Sequence, residues 1–269
     1  MDDHGAAHGF TSVDTQDRPS EWAGVLDRLS AEPFHAAYKQ RLRELLRAAP
    51  GGLFLEVGAG TGEAAAALRS RDGAEVVAVD NSLTMIARAR QRGLPFAAVA
   101  DGHRLPFPAG RFDGAWADRV LQHVAEPDRG VEELLRVVRP GGRVALADPD
   151  YDTQVLDIGD QELARQVLRF RADVALRNGS LAHRHAGMLA ARGLHDITVE
   201  ARTLVVRDPS AVDQVMGLRT WAHTAADRGC LDPLDADRFV ERFDDAVRTG
   251  RFTYAVTFFL TAGTLPLPG

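Results

Sequence analysis

Between residues 53 and 150 five short apolar runs alternate with segments of helical periodicity, and that alternation leaves few folds open. The runs are "LFLEV", "EVVAV", "FAAVA", "FDGAWA" and "RVALAD". Among the intervening segments are "EAAAALRS", "SLTMIARARQRG" and "GVEELLRVVRPGG". The last sets Val131, Leu134, Leu135 and Val138 at helical spacing before Pro140-Gly141-Gly142 stops it. Strands separated by helices pair in parallel through right-handed crossovers, which cover both faces of the sheet. Upstream, residues 20–48 read as helices, with Leu42, Leu45 and Leu46 on one face before Pro50-Gly51-Gly52. After Asp150 the pattern changes. Residues 160–192 are mostly helical, "HDITVEA" is a strand, 209–248 supply two more helices, and "RFTYAVTFFLTAG" is the last strand. The expected class is α/β: a doubly wound, seven-stranded, mostly parallel sheet whose last strand is antiparallel. Residues 1–15, small and polar, are expected to be disordered.

Composition removes several functions. Formal net charge is −6, and Lys39 is the sole lysine among dispersed arginines. The chain therefore lacks the basic stripe of a nucleic-acid binder. One cysteine, Cys230, excludes an intrachain disulfide and argues against a Cys/His zinc cluster, in keeping with a cytoplasmic setting. "MDDHGAAHGF" has neither the basic nor the apolar region of a secretory signal, and "FTYAVTFFLTAGTL" is too short and threonine-rich to span a bilayer. No nucleic acid, membrane or metal partner is expected, and the oligomeric state is not encoded in any pattern we find.

"LEVGAGTG" marks the candidate ligand site by its position. A glycine-rich turn after the first strand brings backbone close to a ligand and aims helix N-terminal amides at it. The dinucleotide fingerprint is G-x-G-x-x-G. Here Gly58, Gly60 and Gly62 make G-x-G-x-G, Glu63 stands where the third dinucleotide glycine belongs, and there is no P-loop lysine. "VVAVDNS" ends the second strand with Asp80, whose carboxylate can accept from a ribose diol. "VADG" ends the third with Asp101, placed to accept from an adenine amine.

With "LEVGAGTG", "VVAVDNS", "VADGHRLPFPAGRFDGAWADRVLQHV" and "RVVRPGGRVALADPD" in this order, the chain resembles the class I S-adenosylmethionine-dependent methyltransferases. It looks most like their small-molecule branch, which includes the ubiquinone/menaquinone C-methyltransferases and many natural-product methyltransferases. The resemblance covers about residues 53–150. It implies a Rossmann-like methyltransferase fold and S-adenosyl-L-methionine as cofactor. It implies Asp80 on the ribose hydroxyls, Asp101 on the adenine amine with Gly102 and His103 beside the ring, and Asn81, Ser82 and Met85 nearby. Asp118 falls near the methionine end, Glu56 would receive the ammonium directly or through water, and Gly58, Ala59, Gly60 and Gly62 would pass close to the methionine and ribose. The matching domain spans 51–269, with residues 16–50 as lid helices and 151–192 and 209–248 as acceptor-side helical segments.

The sulfonium already activates the methyl group, so alignment carries much of the catalysis and a base is needed only for a poorly nucleophilic acceptor. His123, after the fourth strand, is the candidate base, with packing in its loop as the alternative. Trp22, Tyr38, Arg119 and His183 are candidate acceptor contacts, and the aromatic set Trp22, Phe34, Tyr38, Phe170 and Trp221 suits an apolar pocket. Asp148, Asp150 and Asp152 alternate after the fifth strand; solvated or capping carboxylates explain them better than a metal. The expected activity is methyl transfer to an oxygen, nitrogen or carbon atom of a small metabolite. The alternatives are a non-catalytic binder of the cofactor and an enzyme acting on a macromolecule. "ADRV" after the fourth strand lacks the Asn/Asp-Pro-Pro-aromatic loop that clamps planar amines.

Overall fold

The computed structural model describes residues 13–15, 18–209 and 217–268. Its centre is the parallel strand set that the alternation demands: β1 (Leu53–Val57), β2 (Glu75–Asp80), β3 (Ala97–Val99), β4 (Phe112–Asp118) and β5 (Val138–Asp157). With β6 (His195–Val206) and β7 (Thr253–Thr264) they form one seven-stranded sheet, ordered β3-β2-β1-β4-β5-β7-β6. β7 runs antiparallel to both neighbours, and the other pairings are parallel. Strand order reverses at β1, where β2 lies on one side and β4 on the other, so the strand ends there open a crevice.

The helices cover both faces. α1 (Pro19–Ala31) and α2 (Pro33–Leu46) precede β1, α3 (Glu63–Asp72) follows it, and α4 (Leu83–Gln91) and α5 (Pro127–Val137) connect later strands. α6 (Gln161–Phe170), α7 (His185–Ala190), α8 (Leu218–Asp227) and α9 (Pro233–Arg248) surround the β5–β7 end. On one face Leu68, Ile86, Trp116, Phe239, Phe243 and Tyr254 join one apolar core. On the other, Leu55, Phe112, Val131, Leu134 and Leu146 form a second. α5 buries Val131 and Leu134 of the expected stripe together with Val137, while Leu135 is only partly buried and Val138 already begins β5. No described helix is long and apolar enough to cross a membrane.

Three boundaries need correction. Residues 151–157, expected within a helical segment, continue β5 as extended chain: 151–154 form a bulge, and beyond it Val155, Leu156 and Asp157 pair with β7, Leu156 facing Tyr254. The helix begins only at Gln161, where Asp160 accepts from the Leu163 amide at 3.1 Å. Of residues 1–15, expected to be disordered, 1–12 lie outside the described residues, but Val13–Thr15 form a short 3-10 turn. Asp14 holds it in place, accepting from the Leu83 and Thr84 amides at 2.7 and 3.1 Å, where a carboxylate satisfies the open amides of the α4 N-terminus. Residues 210–216, part of the expected helical segment 209–248, also lie outside the described residues.

Candidate active site

The glycine loop turns sharply because it has no side chains to accommodate. Gly58, Gly60 and Gly62 have φ of 69°, 52° and 75°, in the left-handed region that favours glycine. Packing excludes a side chain at two of them as well. A Cβ at Gly58 would lie 2.2 Å from Val120 Cγ2, and one at Gly62 would lie 2.4 Å from Leu94 Cδ1. Gly62 is thus a packing residue at the N-cap of α3 and does not line the cavity. Gly58, Ala59 and Gly60 do line it.

Asp80 ties this loop to the next helix. One of its oxygens accepts from the Gly60 amide at 2.8 Å, and the other accepts from the Ser82 amide at 2.9 Å. Burial raises its pKa against the pull of those amides. Ser82, expected among the cofactor contacts, instead caps α4: its hydroxyl accepts from the Met85 amide at 3.2 Å and donates to Asp14 at 2.7 Å. Asn81 and Met85 line the cavity. So do Asp101, Gly102 and His103, where Asp101 accepts from the His103 amide at 2.9 Å and contacts its Nδ1 at 2.7 Å.

Glu56, at the C-terminal end of β1, is buried at the cavity wall, but both its oxygens are engaged within the protein. They accept from the Ala65 amide at 3.0 Å and from the Trp116 indole at 3.1 Å. Burial pushes its carboxyl up to about 8, although Lys39 draws it down.

Lys39 is what the sequence reading overlooked. Its ammonium is buried by α2, donates to Ser30 Oγ at 3.0 Å and Glu63 at 3.2 Å, and lies 3.8 Å from Asp118. Its status as the only lysine was the available signal. Tyr38, expected to touch the acceptor, does not line the cavity: it is wholly buried, and its hydroxyl donates to both Asp118 oxygens at 2.9 and 3.2 Å. The two α2 residues together orient Asp118, which does reach the cavity.

The cavity measures about 360 Å³ and extends from the glycine loop to a second wall beyond Asp118. That wall carries Tyr151 from β5, Leu204 from β6, Trp221 from α8 and Phe258 from β7. Arg119 and His123, both expected here, line it too. Leu29 and His35 close it from α1 and α2. Burial, followed by the Arg119 and Lys39 charges, depresses His35 to about 2, so its imidazole is neutral.

Three further expectations fail. Trp22 does not line the cavity; it packs against Val13, Ala23 and Met85. His183 is half exposed and turned onto Asp150, its Nδ1 at 2.5 Å. Phe34 and Phe170 belong to the helix-packing cores. Asp148 and Asp150 are fully buried and so not solvated, and Asp150 is the capping acid that was the other expectation, accepting from the Asp152 and His183 amides at 3.2 and 2.9 Å. Asp148 lies 3.5 Å from the buried His185, and burial raises its pKa well above the carboxylate range. Among the described residues no group of three or more His, Cys, Asp or Glu side chains is arranged to hold a metal.

Residues 55–146, which contain the loop, Asp80, Asp101 and Asp118, match the model of the methyltransferase domain family. An uncharacterized 37.1 kDa protein in transposon TN4556 of Streptomyces fradiae is 35% identical over 241 residues, covering 87% of this chain and 69% of that protein. A demethylmenaquinone methyltransferase of Beutenbergia cavernae is 39% identical over 112 residues, 41% of this chain and 46% of that enzyme. The chain thus spans about half the length of such an enzyme in that match. Among solved structures, phosphoethanolamine N-methyltransferase 2 of Haemonchus contortus in complex with S-adenosyl-L-methionine shares the fold, with a TM-score of 0.60 at 17% identity over 95% of this chain and 59% of that one. The chain belongs to the class I S-adenosylmethionine-dependent methyltransferases and is an enzyme with S-adenosyl-L-methionine as its cofactor.

Proposed function

We propose that the chain transfers the cofactor's methyl group to an oxygen, nitrogen or carbon atom of a small organic metabolite. The observation that carries this reading is the continuity of one cavity, bounded by the glycine loop, Asp80 and Asp101 at one end and by an apolar, aromatic wall at the other. Its size suits a cofactor and a compact acceptor, and Leu29 and Ser30 of α1 with His35 and Lys39 of α2 line one side of it.

The roles follow from the chemistry of the lining groups. Asp80 accepts from the ribose hydroxyls and Asp101 from the adenine amine, with Gly102 and His103 along the ring and Asn81 and Met85 beside it. Gly58, Ala59 and Gly60 give the methionine and ribose room to approach the backbone. Asp118, oriented by Tyr38 and Lys39, faces the methionine end. With the methyl already activated, the protein's main task is to hold the acceptor atom, the methyl and the sulfur in line. His123 is the base for acceptors that must lose a proton; the neutral His35, with a pKa near 2, is too weak a base for that role. α1 and α2 act as a lid that excludes water. A cytoplasmic setting fits Cys230 as an exposed free thiol.

The test is transfer of labelled methyl from S-adenosylmethionine to a panel of small phenols, amines and carboxylic acids, with transfer RNA and a protein mixture run in parallel. We expect label in small molecules and none with Gly60→Val, whose side chain would project from a left-handed residue of the cavity wall. Label only in a macromolecule overturns the small-molecule reading. Cofactor binding without transfer to any substrate class favours a non-catalytic binder.

A further inference from the structure

Two arginines in the acceptor half of the cavity each keep a buried Nε without a partner, and neither has a described carboxylate within hydrogen-bond distance. Arg119 follows β4 with a φ of 57°, one of three non-glycine residues with positive φ among those described. Left-handed backbone at a side-chain-bearing residue is costly and clusters at functional sites. Its amide donates to the Ala147 carbonyl at 2.6 Å, which fixes the turn. Its side chain makes no hydrogen bond to a described residue, and its buried Nε is unpartnered. The nearest acid, Asp118, is 4.0 Å away and already receives the Tyr38 hydroxyl.

Arg171 comes from the other side. It is 3% exposed and opens a π-helical turn, Arg171–Ala175, that continues α6. Such turns are rare and frequent at functional sites. Nη1 is anchored to Gln154 at 3.1 Å and to the Tyr254 hydroxyl at 3.3 Å. The guanidinium carbon lies over two rings, 4.7 Å from the Tyr151 ring centre and 5.3 Å from that of Trp221. Its buried Nε has no partner. Arg119, Arg171, Tyr151 and Trp221 all line the one cavity. Tyr151 feels both charges, which oppose the burial that pushes its phenol up; it remains a protonated donor.

We propose that this cluster is an acceptor subsite for a carboxylate: Arg119 and Arg171 receive the carboxylate oxygens, Tyr151 donates to them, and Trp221 and Phe258 pack against an apolar body. The inference rests on the methyltransferase reading above and names the acceptor's chemical class. A guanidinium edge is the planar fork that carboxylates pair with. Charge selects the monoanion. Arg119, Arg171 and Lys39 against Asp118 and Glu63 leave a net charge of about +1, which balances a carboxylate but not a phosphate dianion.

The test is a fluorescence titration with three probes of one shape: 2-naphthoate, 2-naphthamide and 2-naphthyl phosphate. It is run on the full chain with and without S-adenosylhomocysteine. We expect naphthoate to bind about tenfold or more tighter than the amide, the effect of one charge-assisted hydrogen bond. That preference should fall to about twofold or less in Arg119→Gly, a substitution suited to the left-handed backbone and so expected to keep the fold. Arg171→Lys, which keeps the charge but loses the planar fork, should weaken naphthoate while leaving naphthamide unchanged. Equal binding of acid and amide, no binding of naphthoate, a preference that survives Arg119→Gly, or tighter binding of the phosphate overturns the proposal. Failure of S-adenosylhomocysteine to bind counts against the methyltransferase reading instead, because the naphthoate preference is measured without it as well.

Discussion

Removing the Asp80 carboxylate should damage the empty protein and the cofactor complex by separable amounts. In the empty protein Asp80 satisfies two amides: that of Ser82, which is buried, and that of Gly60, which is partly so. Asp80→Ala strands both. A buried unpaired amide costs about 1–3 kcal/mol, and the cavity-side Gly60 amide costs less because water can reach it, so the expected loss of stability is about 2–4 kcal/mol. Asp80→Asn keeps one acceptor oxygen but turns an NH2 group toward the other amide, so about half of that loss should remain. Binding should respond differently. A carboxylate that accepts from ribose hydroxyls contributes roughly 1.5–3 kcal/mol, a tenfold to hundredfold change in affinity, and both variants lose the charge. Urea unfolding of the cofactor-free proteins measures the first quantity, and calorimetric titration with S-adenosylhomocysteine measures the second. Unchanged stability in Asp80→Ala would refute the loop-tethering role. Affinity within twofold of wild type in both variants would refute the ribose assignment.

Gly58→Ala should cost about 2–5 kcal/mol, from a left-handed alanine plus a methyl 2.2 Å from Val120; adding Val120→Ala should recover the packing part but not the backbone part, and unfolding of the double mutant checks this. Glu56, raised from 4.5 to about 8, stabilises the folded chain while protonated, so its contribution is complete below pH 4.5 and is lost as pH rises toward 8. His35 and His185, depressed to about 2 and about 4, act oppositely, adding stability as pH rises toward 6.5. Stability should therefore fall by roughly 2 kcal/mol from pH 6.5 to 8, and Glu56→Gln should flatten that limb; an equal fall in the variant would reject the assignment. Tyr38→Phe leaves Asp118 with only the more distant Lys39 and Arg119, and turnover should fall more than cofactor affinity; the opposite split would mean that Tyr38 serves the cofactor instead.

The parts of this molecule that were legible in the sequence obey short-range rules. β1 to β5 were visible as apolar runs, and Asp80, Asp101 and the glycines were visible because a strand's last residue and a turn's first ones have fixed neighbours. Asp118 was expected at the methionine end and lines the cavity, but what holds it was not legible. Tyr38 and Lys39 lie about 80 residues earlier in the chain, and only the packing of α2 over β4 brings them to it. Ser82 and Gly62 were assigned to the cofactor because capping a helix and packing a turn demand the same small or polar residues that ligand contact does. Trp22 and His183 failed for a related reason: an aromatic or a histidine on a helix reads the same whether it faces a core, a partner acid or a cavity. Arg171 had no local mark at all. It became a site candidate only when α6, β5 and α8 set Tyr151 and Trp221 against it.

The most direct test of the account is a crystal structure with S-adenosylhomocysteine bound. It predicts the ribose hydroxyls on Asp80, the adenine between Asp101 and Met85, and the sulfur turned past Asp118 toward the wall of Arg119, Tyr151 and Arg171. A cofactor bound outside the glycine loop, or one with its sulfur turned away from that wall, would contradict it.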